Sequence, residues 1–172
     1  SARIYRAEQM KNLEIKNPER YTERLLTAIQ QALHLDRQPR HIECFDNSNL
    51  QGAHPVASCV VFRDGKPSRK EYRHFNIKTV VGADDYASMR EVVFRRYTRL
   101  MAEETELPDL IIADGGKGQM GVIHEVLEHL GLDIPIAGLA KDDRHRTAEL
   151  YYGFPPLLVG IRPTSPMFHF LS

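Results

Sequence analysis

The chain has 172 residues, of which 42% are hydrophobic and 27% charged, enough apolar material for the core of one domain. Its 23 basic and 23 acidic residues cancel, so overall charge does not announce a nucleic-acid partner. No run approaches the roughly 20 apolar residues of a membrane span, and no leader pattern opens the sequence, which predicts a cytoplasmic protein with no membrane partner.

The charge is segregated along the chain. Ten Lys/Arg face five Asp/Glu between Arg63 and Arg99, whereas Glu103 to Asp114 is acidic apart from apolar residues. Such segregation suits one surface meeting phosphate, and it also suits ordinary solvated faces. Cys44 and Cys59 lie in apolar runs without CxxC spacing and read as reduced core residues. The chain opens on Ser1 and stops at Ser172, and is expected to be an excised fragment.

Residues 3–35 are charged and free of glycine, with Leu25, Leu26, Ile29 and Leu33 at helical spacing and Pro18 placed to begin a helix after Asn17. Asp36 to Pro39 breaks the pattern, dividing a helical lead-in or linker (residues 1–38) from a main domain (39–172). Strands follow over His41–Asp46, Val56–Phe62 and Arg69–Ile77, with Asp64-Gly65 as a hairpin signal. A helix carries Tyr86, Met89, Val93, Tyr97 and Leu100 on its buried stripe and is expected to turn Arg95, Arg96 and Arg99 outward. Asp109–Asp114 is a buried strand, Lys117–Leu130 a helix ended by Gly131, and Ile134–Ala140 a further strand. Glu149–Tyr152 and Leu157–Val159 predict a small hairpin, and Ser165-Pro166 the start of a last helix. Three antiparallel strands followed by helix–strand–helix–strand is the order of an RNase H-like mixed α/β sheet, although the pattern also permits other mixed folds.

Asp46 and Asp114 each close an apolar strand and meet a polar or glycine-rich loop. Active sites of open α/β sheets gather beyond the carboxyl ends of strands. If the two strands are parallel neighbours, the carboxylates converge, and converging carboxylates repel unless a cation lies between them. Mg²⁺ or Mn²⁺, hard ions that favour oxygen, suit such a pair; the bland alternative is that each Asp starts a turn or caps a helix.

In Asp114-Gly115-Gly116-Lys117-Gly118-Gln119 the paired glycines admit close backbone approach, the following helix offers free N–H groups, and Lys117 adds a cation for phosphate. The P-loop spacing is absent. Asp84 or Asp85 is placed to cap the arginine helix, which leaves one acid spare. Arg90 falls near the edge of the buried stripe, where it pairs with an acid or reaches a phosphate.

Together Glu43-Cys44-Phe45-Asp46, Val56 to Phe62, Asp84-Asp85-Tyr86-Ala87-Ser88-Met89-Arg90-Glu91 and Asp114 to Gln119, extended by Gly138-Leu139-Ala140-Lys141 and Ser165-Pro166, resemble the UvrC family in order and spacing over residues 40–172. The resemblance implies the endonuclease domain that cuts damaged double-stranded DNA on the 5′ side of a lesion, with UvrB as partner and UvrA upstream. It implies that Asp46, Asp85 and Asp114 are the catalytic acids, with Asp46 and Asp114 holding Mg²⁺ or Mn²⁺. Arg90, Arg95, Arg96, Arg99 and Lys117 are candidates for DNA phosphate.

Two departures from the family pattern stand out. After Asp46 the family usually reads Ile-Ser-His, where this chain has Asn47-Ser48-Asn49. The family's catalytic histidine lies beyond its Ser-Pro-x-x-His stretch, here Ser165 to His169, so an incomplete active site and an inactive fragment are expected. A non-catalytic binding or scaffold module of the same fold is the alternative reading, and loss of the strand-end acids, both present, would have favoured it.

Overall fold

Asn17 begins the first helix, α1 (Pro18–Leu33): its side-chain oxygen accepts the Arg20 N–H at 3.2 Å, and Pro18 occupies a position where no N–H is needed. The computed structural model describes residues 16–48, 56–77, 85–141, 147–153 and 156–159. Asn49, residues 82–84, Ser165 to His169 and the side chain of Asp85 lie outside what is described.

Strand β1 (His41–Ser48) runs antiparallel to β2 (Val56–Arg63), and Asp64 and Gly65 turn the chain with φ of 52° and 77°. Two successive positive φ values match the right-handed twist of a hairpin, as the Asp-Gly pair predicts. Of the strand expected over Arg69–Ile77 only β4 (Arg73–Asn76) forms; Arg69–Glu71 is a 3₁₀ turn, and the short β3 (Lys66–Pro67) precedes it directly after the hairpin. Pro67 has no N–H to donate. Ser68 Oγ donates to Glu71 at 2.5 Å, and Arg63 grips the same carboxylate at 2.9 and 3.1 Å, so the turn is held where a strand would have continued.

Helix α2 (Asp85–Ala102) leads to β5 (Leu110–Asp114), helix α3 (Gly116–Leu130), β6 (Ile136–Lys141), β7 (Thr147–Tyr152) and β8 (Leu157–Val159). The sheet order is β3-β2-β1-β5-β6-β7-β8, with β4 also on β2. The β1–β5 and β5–β6 pairs are parallel and the rest antiparallel. This is the RNase H-like mixed sheet expected from the order of elements.

Period-2 alternation assigns each strand two faces. Phe45, Cys59, Val61, Ile111, Ala113 and Ile136 pack with Met89, Val92, Val93 and Tyr97 of α2 and with Met120, Ile123 and Leu127 of α3. Ile42, Leu110, Ile112, Ala137 and Leu139 pack with Leu25, Ile29 and Leu33 of α1. Each such fully buried aliphatic side chain contributes about 1.5–3 kcal/mol, so the sheet is secured on both faces and its strand ends are held rigidly. Among the described residues, no helix is long and apolar enough to cross a membrane.

Candidate functional site

The parallel pairing of β1 with β5 runs Ile42↔Leu110, Glu43↔Ile111, Cys44↔Ile112 and Phe45↔Ala113. The next residue on each strand is Asp46 and Asp114. Adjacent strands lie about 4.8 Å apart, and parity places both side chains on the face of Ile42, Cys44, Leu110 and Ile112. Both aspartates are half-buried; Asp114 ends β5, whereas β1, expected to end at Asp46, continues to Ser48 because its pairing with β2 runs on past the end of β5. Strand direction and register therefore bring together the two acids that the apolar runs had singled out.

Behind Asp114 the backbone turns tightly. The Gly115 N–H donates to the Leu139 carbonyl at 3.1 Å, and Gly116 takes a φ of +78° with Ala140 Cβ 3.6 Å from where its own Cβ would be. A side chain at Gly116 would be strained in that left-handed conformation. Glycine is needed at Gly138 for a different reason: a Cβ there would lie 2.5 Å from Met120 Sδ, so it lets α3 settle against β6. Helix α3 is preceded by Gly115, which has no side chain to cap it. The Gln119 side chain, folded back over Gly115, is buried, and its Oε1 has no partner among the described residues.

The donor set fits a hard divalent cation. Two carboxylates on neighbouring parallel strands are the oxygen chemistry such an ion takes, and among the described residues no third His, Cys, Asp or Glu joins them. Asp85 is the first residue of α2. Lys117 stacks its Nζ 4.8 Å from the Tyr151 ring centroid, and Arg90 pairs with Glu125 of α3 at 3.1 Å.

The outward arginine face expected on α2 is not what the helix presents. Arg99 is 74% exposed and paired with Glu103 at 3.0 Å. Arg95 is partly covered, bonding Glu91 and the Asn76 carbonyl and lying over the Phe75 ring. Arg96 is only 12% exposed, with Nε and Nη2 on Glu43 at 3.0 and 2.7 Å. The reason is helical phase. Val92, absent from the expected stripe, is fully buried, while Tyr86, included in it, is 53% exposed. A stripe of Val92, Val93, Tyr97 and Leu100 places Arg96 on the inner side.

Glu43, part of the motif that leads to Asp46, has no role assigned to it by the sequence. It is fully buried, and besides Arg96 it accepts hydrogen bonds from His41 Nε2 at 2.8 Å and Tyr97 Oη at 2.9 Å, with the Cys59 thiol at 3.8 Å. Burial pushes its carboxyl pKa up, but the bonds from His41, Arg96 and Tyr97 outweigh burial and hold it at about 2. The same burial, with the Glu43 charge beside it, drives the Tyr97 hydroxyl and Cys59 thiol well above their ordinary values. The available signal was a charged residue at an inward position of an apolar strand, opposite a helix carrying Arg and Tyr in succession.

A mixed sheet in this strand order, with two acids on its neighbouring parallel strands, defines an RNase H-like α/β domain. Comparison with known families is more specific: residues 30–172 match the UvrC RNase H endonuclease domain, and the chain belongs to that family. It is 63% identical to UvrABC system protein C of Bacteroides fragilis over 168 residues, covering 98% of this chain and 28% of that protein. The corresponding protein of Bacteroides thetaiotaomicron is 60% identical over 169 residues, with the same coverage of 98% and 28%. The chain thus spans little more than a quarter of the length of these relatives. Among solved structures it is similar to endonuclease V of Ciona intestinalis, at 13% identity and a TM-score of 0.44, covering 70% of this chain and 58% of that one.

Proposed function

We propose that this domain is a metal-dependent DNA endonuclease that hydrolyses a phosphodiester bond 5′ to a lesion in bacterial nucleotide excision repair. In this reading it acts in the cytoplasm on damaged double-stranded DNA, with UvrB as partner and UvrA upstream. The observation that carries the proposal is the β1–β5 register, which sets Asp46 beside Asp114. Family membership and the names of the relatives support the repair context.

Asp46 and Asp114 would hold Mg²⁺ or Mn²⁺, which when bound supplies water activation and stabilisation of the leaving oxygen. The two carboxylates would fix where that ion sits and do not themselves bind phosphate. The first N–H groups of α3, with Lys117 beside them, orient the non-bridging oxygens of the scissile phosphate. Asp85, opening α2, serves as a third acid. Arg90, Arg95 and Arg99 offer further charge to the DNA backbone, while Arg96 acts mainly through Glu43.

The test is Asp114→Asn in a protein of the relatives' full length, assayed in parallel for incision and for gel-shift affinity. Loss of incision with affinity retained is expected, because the carboxylate holds metal and not backbone phosphate. Equal loss of both would overturn the assignment.

A further inference from the structure

A cleft of about 290 Å³ opens between the carboxyl half of α2 and the sheet edge formed by β2 and β4. Five arginines line it, Arg63, Arg73, Arg95, Arg96 and Arg99, together with His41 and His74. It lies apart from the aspartate pair. Glu43 and His41 point to the sheet face opposite Asp46, and the three-residue step from Glu43 to Asp46 along β1 spans about 10 Å.

Glutamates pair with most of these arginines and hold them in place. Glu43 and Glu71 have both carboxylate oxygens committed, to Arg96, His41 and Tyr97 and to Arg63 and Ser68 respectively. Arg63, Arg95, Arg96 and Arg99 pair with Glu71, Glu91, Glu43 and Glu103, whereas Arg73 bonds the carbonyls of Lys70 and Tyr72. Each of Arg95, Arg96 and Arg99 is gripped along part of its guanidinium, so the side chain is already ordered. Arg96 bonds Glu43 through Nε and Nη2, and Arg99 bonds Glu103 through Nε. Ordered guanidinium forks match the geometry of a phosphate.

His41 supplies an independent observation. Its ring lines the cleft and is 3% exposed, its Nε2 is committed to Glu43, and its Nδ1 has no partner among the described residues. A buried polar atom without a partner is costly and calls for an explanation. Glu43 is a carboxylate that only accepts, so Nε2 carries a proton. Nδ1 then accepts from a protonated phosphate oxygen or, in the imidazolium, donates to an unprotonated one.

We infer that this arginine cleft is a phosphate-ester site, distinct from the aspartate pair and independent of the reading of that pair as a nuclease centre. The occupant is either an internal phosphodiester of a DNA strand or the phosphate of a free mononucleotide; the volume exceeds what a bare phosphate ion fills.

The experiment titrates inorganic phosphate into the 172-residue chain without metal, at constant ionic strength. The Arg96 and Arg99 Nε–H and His41 ring ¹⁵N resonances are followed. A saturable shift of all three is expected. Arg73→Gln combined with Arg99→Gln, both at exposed positions, should weaken it about tenfold or more with circular dichroism unchanged. Displacement of phosphate by a duplex lacking terminal phosphates identifies the phosphodiester, and displacement by dAMP alone identifies a mononucleotide; either supports the site. An unsaturable response, equal affinity in the double variant, or displacement by an acidic peptide but by neither phosphate ester overturns it. So does loss of phosphate binding in Asp114→Asn, which would place the anion at the aspartate pair.

Discussion

Arg96 of α2 and Glu43 of β1 form a two-bond ion pair at 2.7 and 3.0 Å beneath a helix on a sheet, with the carboxylate fully excluded from water. The pair ties α2 to β1, the strand that carries Asp46. Removing one partner of such a buried pair leaves a charge without compensation, which generally costs about 3–5 kcal/mol.

Glu43 makes stability dependent on acid. Its folded pKa of about 2 lies below its ordinary value of 4.5, so its contribution is complete above pH 4.5 and is lost as pH falls towards 2. A difference of that size corresponds to roughly 3 kcal/mol. Glu43→Gln should lower unfolding free energy by about that amount at pH 7 and flatten the acid limb below pH 4.5. Urea melts at several pH values would show it, and parallel acid limbs in the two proteins would count against the network.

Asp46→Asn and Asp114→Asn should each weaken Mn²⁺ binding at least about tenfold, because each removes one of two carboxylates from a shared ion. The double variant should be little worse than either single one, since groups serving one ligand are not additive. Electron paramagnetic resonance of free Mn²⁺ measures this directly. Strictly additive losses would mean that the aspartates hold separate ions.

The arginines of α2 should separate by role. Each phosphate contact contributes about −0.9 to the slope of log affinity against log salt, so Arg95→Ala with Arg99→Ala should flatten DNA binding by up to about 1.8. Arg96→Ala should instead register chiefly as a lower unfolding free energy, because its guanidinium is bound to Glu43. An unchanged slope in the double variant would make Arg95 and Arg99 an ordinary solvated face.

Gly138→Ala should destabilise the fold by about 1–3 kcal/mol, since the added methyl would lie 2.5 Å from Met120 Sδ and 3.2 Å from the Gly116 carbonyl. Relief requires α3 to move off β6 and to carry the Gly115-Gly116 turn with it. Mn²⁺ affinity should therefore fall along with stability. Unaltered affinity would show that the turn is anchored independently of α3.

Local signals settled much of this protein. Apolar alternation located β1 and β5, Asn17 and Pro18 marked the start of α1, Asp64-Gly65 the hairpin, and Gly131 the end of α3. The positions of Asp46 and Asp114 were legible because each closes an apolar run. The sequence alone did not determine that β1 and β5 are parallel and in register, since strand pairing depends on contacts far apart in the chain. Nor did it determine the phase of α2. A helix with apolar residues on a broad arc admits several rotations, and the buried Glu43, invisible to a count of apolar positions, is what draws Arg96 inward. The break between β3 and β4 was likewise decided in three dimensions, where Arg63 and Ser68 converge on Glu71. Periodicity reports which residues avoid water, whereas the partners of charged groups are chosen only when the layers meet.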